Sequence, residues 1–103
     1  MGASVKSAPR VRPEVMTDAR LEALYRVIVH NDDVTPMDFV VHVLERIFFI
    51  SGPGALNIMY EAHHRGAAYV QTLSRGEAQN RIGRAHFAAG LEGYPLQFTM
   101  EPE

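Results

Sequence analysis

The residues best suited to chemistry in this chain are a short polar run, Asn31-Asp32-Asp33, and one histidine, His63. Amide and carboxylate oxygens accept hydrogen bonds, and a neutral imidazole accepts one through a ring nitrogen. Such a set, gathered at one rim, suits a cationic group. Turn formation alone also explains the polar run, because Asn and Asp favour corners between elements and tolerate left-handed backbone. Taken by themselves, these residues leave both interpretations open.

Apolar residues at helical spacing accompany the polar run. Met37 and Val40 fall on the first turns of the helix that follows it. Met59 and Ala62 stand three residues apart on the next helix, directly before His63. Because methionine adapts its shape readily, such a group predicts a small apolar pocket, suited to a ligand that is apolar below and cationic above. The alternative is that Met37, Val40 and Met59 belong only to the core.

The histidines do not form a metal-binding pattern. Zinc needs three or four ligands at about 2 Å, yet the H-E-x-x-H motif and cysteine are both missing from the sequence. His63 and His64 are neighbours on a helix, so their side chains point about 100° apart and do not easily share one ion. We therefore predict no metal and no cofactor. Surface or partly buried positions are predicted for His30, His42, His63, His64 and His86.

A nucleophilic site is not indicated either. A catalytic serine or threonine needs a base and an orienting acid beside it. Ser51, Ser74 and Thr35 each fit a helix cap or a turn better, and neither the G-x-S-x-G nor the P-loop pattern occurs. The chain is therefore predicted not to be an enzyme. A small hydrolase or a metal-dependent enzyme that uses the histidines is the least favoured alternative.

The composition is that of one small globular domain. The chain has 103 residues, of which 47% are hydrophobic and 21% charged, so wholesale disorder is excluded. A domain of this size forms one core and one groove, but not two domains around an enclosed cleft. No apolar run approaches the ~20 residues that span a bilayer, and no signal-peptide core is seen. We expect no membrane partner and a cytoplasmic location.

The net charge of −2 argues weakly against nucleic acid as a partner. The charge is distributed unevenly along the chain. Residues 1–20 carry four basic and two acidic side chains, whereas the rest carries six basic and ten acidic ones. The first part contains Pro, Ser and Gly and has no hydrophobic period. Residues 1–21 are therefore predicted to be a flexible N-terminal extension, and residues 22–103 the folded domain.

The spacing of apolar residues and helix caps predicts six elements in the order β-α-α-β-α-β. Thr35 fits the N-cap of the first helix with Pro36 at its first position, Gly66 the end of the second, and Ser74 the N-cap of the third. The predicted strands cover 25–30, 67–73 and 96–101, and the helices 36–48, 53–64 and 75–90. This order predicts an α+β fold, a small three-stranded antiparallel sheet packed against three helices.

Three segments resemble the ClpS family, the adaptors of the ATP-dependent Clp protease. Residues 25–41 read YRVIVHNDDVTPMDFVV, which resembles the family's signature, and the N-D-D-x-T-P-M run within them is highly specific. Residues 55–66, ALNIMYEAHHRG, look like the second conserved block of the family, and 94–101, YPLQFTME, like its final strand. The resemblance spans about residues 22–101.

The resemblance implies a non-enzymatic adaptor and a role for each residue of the site. ClpS proteins bind substrates with N-terminal Leu, Phe, Tyr or Trp and deliver them to a Clp AAA+ unfoldase of the ClpA or ClpC type, through the unfoldase's N-terminal domain. By motif position, Asn31, Asp32 and His63 would bind the α-amino group, and Met37 would act as a gate against β-branched residues. The side-chain pocket would be lined by Thr35, Met37, Val40, Met59, Ala62 and Leu96.

The chain departs from the family pattern at three places. Ala62 stands where better-studied members carry valine, so larger side chains are expected to be favoured. Val34 replaces a common tyrosine, and residues 74–77 lack the usual acidic pattern of the unfoldase-facing edge. Val34, Glu77 and Arg81 are the predicted unfoldase contacts. The alternative function is a ClpS-fold regulator of the unfoldase that does not recognise N-terminal residues.

Overall fold

The computed structural model describes residues 23–103, so the extension predicted for residues 1–21 lies outside the described residues. Six elements follow in order: β1 (Leu24–His30), α1 (Met37–Arg46), α2 (Gly52–Arg65), β2 (Ala67–Ser74), α3 (Arg75–Glu92) and β3 (Gln97–Pro102). This confirms the predicted α+β fold with its β-α-α-β-α-β order, while the domain boundary at residue 22 stays a prediction. None of these three helices is long and apolar enough to cross a membrane.

Strand β1 is the centre of the sheet. It pairs antiparallel with β2 on one side and with β3 on the other, which gives the strand order β2-β1-β3. Val27 and Val29 are almost fully buried and alternate with the half-buried Ile28, so one face of the strand is directed into the core. Because β1 is held on both sides, the chain that leaves it at Asn31 starts from a fixed position.

The three helices pack on the face of the sheet that carries Val27 and Val29. The core includes Val43 and Leu44 of α1 together with Phe48, whose ring stacks on that of Phe98 of β3 with 4.9 Å between the ring centroids. No polar or charged residue among residues 23–103 is buried. The apolar periods of helices and strands thus meet in one layer, as the sequence predicts.

The structure confirms the predicted end of α2 at Gly66 and the predicted N-cap of α3 at Ser74. Gly66 ends α2 with a φ of 94°, a left-handed conformation in which glycine has no Cβ to clash. The Ser74 hydroxyl caps α3 by accepting a hydrogen bond from the backbone N–H of Glu77 at 3.3 Å. The Glu77 carboxylate accepts from Arg81 Nε at 2.8 Å and makes an ion pair along the helix.

The ends of α1 differ from the predicted ones. Pro36, not Thr35, takes the N-cap position, and no side chain caps the helix. The reason is that the Thr35 hydroxyl donates to the Asp32 carboxylate, at 2.9 Å. The helix ends at Arg46, two residues before the predicted end, and the chain then turns through Phe49, which has a φ of 57°.

Helix α3 extends two residues beyond the predicted end at Gly90. It runs to Glu92, and Gly93 adopts the left-handed conformation with a φ of 78°. The backbone N–H of Tyr94 then donates to the carbonyl oxygen of Ala89 at 2.9 Å. Gly90 therefore lies inside the helix, and the chain leaves the helix at Gly93.

His86 of α3 holds the outer edge of strand β3. This strand pairs with β1 only, so the backbone groups on its other side need partners elsewhere. The backbone N–H of Phe98 donates to His86 Nε2 at 3.0 Å. Since Nε2 accepts, the imidazole that makes this bond is neutral and carries its proton on Nδ1. The contact fixes β3, and with it the segment that contains Leu96.

Replacing His86 with phenylalanine is expected to lower the free energy of unfolding by about 1–3 kcal/mol, because the Phe98 N–H loses its acceptor in a part-buried place. Urea denaturation followed by circular dichroism measures this change. His86→Gln is the matched variant, since its amide oxygen can accept the same hydrogen bond. A His86→Phe protein as stable as the natural one would contradict this role.

Candidate functional site

The loop after β1 is tied to the end of helix α2. The backbone N–H of Asn31 donates to the carbonyl oxygen of Gly66 at 2.9 Å. Gly66 directly follows α2, and His63 lies in the last turn of that helix. One backbone hydrogen bond therefore brings Asn31 next to the helix end that carries His63, although the two residues are far apart in the sequence.

The Asp32 carboxylate shapes the loop in which it lies. Its Oδ1 accepts from the backbone N–H groups of Val34 at 2.8 Å and of Thr35 at 2.7 Å, and its Oδ2 accepts from the Thr35 hydroxyl. This is the turn chemistry that the sequence left open as an alternative. A carboxylate has about four acceptor positions, so one on Oδ2 stays available to a ligand.

The same hydrogen bonds set the charge of Asp32. Partial burial of the side chain raises the pKa of the carboxyl, but hydrogen bonds from the Thr35 N–H, the Val34 N–H and the Thr35 hydroxyl together hold that pKa below its ordinary value. Asp32 is therefore a carboxylate at neutral pH. The site has a fixed negative charge at the loop, whichever ligand it binds.

A pocket opens between the loop, the two helices and the start of β3. It has a cavity volume of about 20 Å³ inside a hollow of about 300 Å³ that includes open solvent. All nine residues predicted for the α-amino site and the side-chain pocket line it. The full lining is Val29, His30, Asn31, Asp32, Thr35, Met37, Val40, Met59, Ala62, His63 and Leu96.

The pocket has an apolar base and a polar rim. Met59, Ala62 and Leu96 are buried, with 3–6% of each residue exposed, and they belong to α2 and to the segment before β3. Asn31 and His63 are exposed at the surface. This arrangement can bind a molecule that has an apolar end and a hydrogen-bonding, cationic end.

Two lining residues, Val29 and His30, were not predicted from the sequence. They are the last two residues of strand β1 and directly precede the polar run. This position in the sequence could have indicated that they line the pocket. His30 Nε2 lies 2.7 Å from the Thr99 hydroxyl oxygen of β3. The contact joins β1 to β3 beside the pocket, so it supports the wall that Leu96 completes.

The residues predicted to contact an unfoldase lie outside the pocket. Val34 is 61% exposed on the loop. Glu77 and Arg81 form their ion pair on α3, and Arg81 also donates to the Gln71 side chain at 3.0 Å. The Arg81 guanidinium lies 5.1 Å from the centre of the Phe49 ring. Arg81 is thus held in place by three neighbours.

Within residues 23–103, no three His, Asp or Glu side chains are grouped closely enough to hold a metal ion. Asp32, the carboxylate of the pocket, uses three of its acceptor positions on the loop. The chemistry of the site is that of hydrogen bonding, charge and apolar contact.

The fold and the pocket define a small α+β domain whose surface pocket has an apolar base and a polar rim. Residues 20–99 match the model of the family "ATP-dependent Clp protease adaptor protein ClpS". The chain belongs to the ClpS family, as the resemblance implied, and is a Clp protease adaptor; the family is one of adaptors and not of known enzymes. Its partner is accordingly the Clp protease system.

Relatives from several bacteria support this assignment. The Clp protease adapter protein ClpS of Desulfatibacillum aliphaticivorans is 41% identical over 80 residues, which cover 78% of this chain and 77% of the relative. ClpS 2 of Mesorhizobium japonicum is 40% identical over 99 residues, or 96% of each chain. The structure of Agrobacterium tumefaciens ClpS2 bound to L-phenylalaninamide matches with a TM-score of 0.77 and 38% identity, over 80% of this chain and 99% of that one.

Proposed function

We propose that this adaptor binds proteins whose first residue is bulky and hydrophobic (Leu, Phe, Tyr or Trp) and delivers them to a Clp AAA+ unfoldase of the ClpA or ClpC type. The observation that carries the proposal is a pocket with a buried apolar base and an ionised carboxylate, Asp32, at its rim. The adaptor binds and delivers, and it catalyses nothing itself. A cytoplasmic location is part of the same proposal.

The polar rim recognises the free amino group of the substrate. An α-amino group has a pKa of about 7.7–8.0, so it is mostly cationic at pH 7. The open position on Asp32 Oδ2 accepts one of its hydrogens, while Asn31 and His63 accept others through an amide oxygen and a ring nitrogen. A hydrogen bond to a charged group contributes about 1.5–3 kcal/mol. An internal peptide bond offers no cation, so the rim selects a chain end.

The apolar base binds the side chain of the first residue. Burying a large apolar side chain contributes about 1.5–3 kcal/mol. The narrow cavity has to widen for an aromatic ring, and Met37, which is 42% exposed at the mouth, is the flexible side chain that can turn aside. A β-branched first residue places its bulk against Met37, so this methionine acts as a gate.

The ligand of a related protein has the same two parts. Agrobacterium tumefaciens ClpS2, 38% identical to this chain, was solved bound to L-phenylalaninamide. That molecule combines a free amino group with an aromatic side chain, and an amide in place of the first peptide bond. Its chemistry fits a pocket with an acidic rim and an apolar base, which supports the proposal for this chain.

Fluorescence polarisation with a peptide that begins with Phe and carries its dye at the C-terminus tests the proposal. We expect micromolar or tighter binding, and a loss of about 100-fold or more when the N-terminus is acetylated, because the cation and its donors disappear. A peptide with Ser at position one is the control for the apolar base. Equal binding of the free and acetylated peptides would contradict the proposal and favour a regulator that does not read N-termini.

The proposal also assigns the unfoldase contact to Val34, Glu77 and Arg81. Val34 is a large apolar side chain that is 61% exposed, so a partner that covers it would remove apolar surface from water. Arg81 is held by Glu77 and Gln71, so it loses little side-chain entropy when a partner binds. These residues lie outside the pocket, which lets the adaptor bind substrate and unfoldase together.

A further inference from the structure

The sulfur atoms of this chain are all in methionine thioethers. The sequence contains five methionines and no cysteine, so no thiol competes with the thioethers for an oxidant. Three of the five, Met37, Met59 and Met100, lie within residues 23–103. Met37 and Met59 both line the pocket. Two of the three described thioethers therefore belong to the proposed binding site.

The two methionines of the pocket differ in their exposure to solvent. Met37, the first residue of α1, is 42% exposed at the mouth, whereas Met59 is 6% exposed at the base. Met100 lies outside the pocket and is a half-buried residue that packs against the core. An oxidant has to contact the sulfur before it can react, so Met37 is the most accessible of the three thioethers to a dissolved oxidant.

An oxygen atom added to Met37 would leave the core untouched. Met37 belongs neither to the buried core cluster nor to the half-buried side chains that pack against that cluster. Its side chain already meets solvent, so the added polar atom can stay hydrated while the pocket is empty. We therefore expect the consequence of oxidation in the pocket and not in the stability of the fold.

A sulfoxide at Met37 finds few hydrogen-bond donors when the pocket is filled. The apolar part of the lining has no N–H or O–H group in its side chains, which are those of Val40, Met59, Ala62 and Leu96. The Thr35 hydroxyl, a donor in the same lining, already donates to the Asp32 carboxylate at 2.9 Å. A polar group buried without a partner costs free energy. A ligand that covers Met37 would take water from the sulfoxide oxygen without replacing it.

The added oxygen also occupies space in a narrow site. The cavity has a volume of about 20 Å³, and the Met37 side chain has to turn aside before a large side chain can enter. Methionine suits this movement because it is unbranched and apolar. The sulfoxide is larger at the sulfur and polar, so it packs less well against an apolar ligand.

We propose that Met37 is a site of reversible oxidation by peroxides and that its sulfoxide weakens the binding of a bulky first residue. In this reaction hydrogen peroxide transfers one oxygen atom to the Met37 sulfur: an S–O bond forms, the O–O bond breaks, and the other oxygen leaves as water. The sulfur loses two electrons, which the peroxide gains. Methionine sulfoxide reductases reverse the change. The inference rests on the proposed function, because it concerns the ligand proposed for the pocket.

Limited treatment of the full chain with hydrogen peroxide, followed by peptide mass spectrometry, measures the oxidation of each methionine. We expect Met37 to react several-fold faster than Met59 and Met100. A saturating Phe-first peptide should slow the oxidation of Met37 by covering its side chain, and the acetylated form of that peptide should not. Equal rates at the three positions would contradict the inference.

Fluorescence polarisation with the Phe-first peptide measures the effect of oxidation on binding. We expect the Met37 sulfoxide to bind about 10-fold more weakly, because its oxygen loses water without gaining a donor. Incubation with the two sulfoxide reductases, one for each epimer, should restore the affinity. The midpoint of urea denaturation should stay the same, whereas oxidation of the core would lower it.

Variants assign the effect to Met37. Met37→Leu removes the thioether and keeps an apolar side chain of similar volume, so peroxide should not change the affinity that this variant has before treatment. Met100→Leu is the matched control, and peroxide should weaken its binding as it does in the natural chain. Met37→Gln places a polar side chain of similar length at the gate and should bind more weakly than Met37→Leu without any oxidant.

The outcomes separate the two proposals. If peroxide oxidises Met37 and the affinity does not change, the inference is wrong and the proposed function stands. If peroxide weakens Met37→Leu as much as the natural chain, another methionine carries the effect and the inference is likewise wrong. If the untreated protein binds no peptide with a free N-terminus, both proposals are wrong.

Discussion

An Asp32→Asn variant is expected to bind a Phe-first peptide about 10- to 150-fold more weakly than the natural chain, since a hydrogen bond to a charged group is worth about 1.5–3 kcal/mol. Asparagine keeps the Oδ1 atom that accepts from the N–H groups of Val34 and Thr35, so the loop retains its shape. In place of Oδ2 the variant has an NH2 group, which can donate to the Thr35 hydroxyl but offers no acceptor and no charge to an ammonium group. Binding isotherms by fluorescence polarisation measure the change.

Two further variants isolate the charge effect. Asp33→Asn removes a neighbouring acid that does not line the pocket, and binding should stay the same. Asp32→Ala removes the loop hydrogen bonds as well, so it should cost about 1–3 kcal/mol of unfolding free energy in addition to binding. An Asp32→Asn protein with unchanged affinity would contradict the assignment of Asp32 to the amino group.

Lowering the pH to mildly acidic values is not expected to have the effect of the Asp32→Asn substitution, because Asp32 keeps its charge there. The hydrogen bonds at the loop lower the pKa of Asp32, so the carboxylate stays ionised in mildly acidic solution. A lowered folded-state pKa means that the contribution of Asp32 to stability is complete above the ordinary carboxyl pKa and disappears as the pH falls through the lower, folded-state value.

An Ala62→Val variant is expected to change which first residues the proposed site accepts. Ala62 is 3% exposed and forms part of the pocket wall, so two added methyl groups narrow the pocket. Overfilling a packed site costs about 1–3 kcal/mol, which predicts a loss of about 5- to 150-fold for Trp- and Phe-first peptides. Leu is smaller, and its affinity should change much less.

The ratio between peptides is the decisive measurement for Ala62. A general loss of folding lowers the affinity for Leu, Phe and Trp peptides by the same factor, whereas a narrower pocket changes the Phe-to-Leu and Trp-to-Leu ratios. Ala55→Val is a control on the same helix, because Ala55 is buried in the core and does not line the pocket. Unchanged ratios in Ala62→Val would show that this wall does not select the ligand.

The positions of the site residues follow from local patterns that the sequence displays. A strand, a polar run and an amphipathic helix predict where Asn31 and Asp32 lie, and the i, i+3 spacing of Met59 and Ala62 predicts one wall. The hydrogen bonds of Asp32 could not be predicted in this way. The backbone path decides whether its oxygens accept hydrogen bonds from the loop or from a ligand. The structure shows that the loop takes three acceptor positions.

Other features depend on contacts between distant segments. A surface hollow between α1 and α2 is lined by Leu56 and Tyr60 of α2 together with Tyr94, which follows α3, and no pattern within one element reveals this arrangement. The sequence predicts that α3 ends near Gly90, whereas the helix runs to Glu92 and ends at Gly93, where the Tyr94 N–H donates to the Ala89 carbonyl oxygen. The left-handed conformation of Phe49 contradicts the local preference for Gly or Asn, so the sequence argues against it.

The central place of β1 ties the pocket to the completion of folding. Leu24 pairs with Ser74 and Tyr25 with Pro102, so both ladders of this strand close long loops in the chain. Closing long loops costs entropy before contacts compensate for it, so pairings of this kind are intrinsically slow to form. Asn31 and Asp32 leave β1 at one end, and Leu96 reaches the pocket only when β3 is paired. The pocket walls therefore come together only when both ladders of β1 have formed, so the proposed binding of a substrate requires the complete sheet.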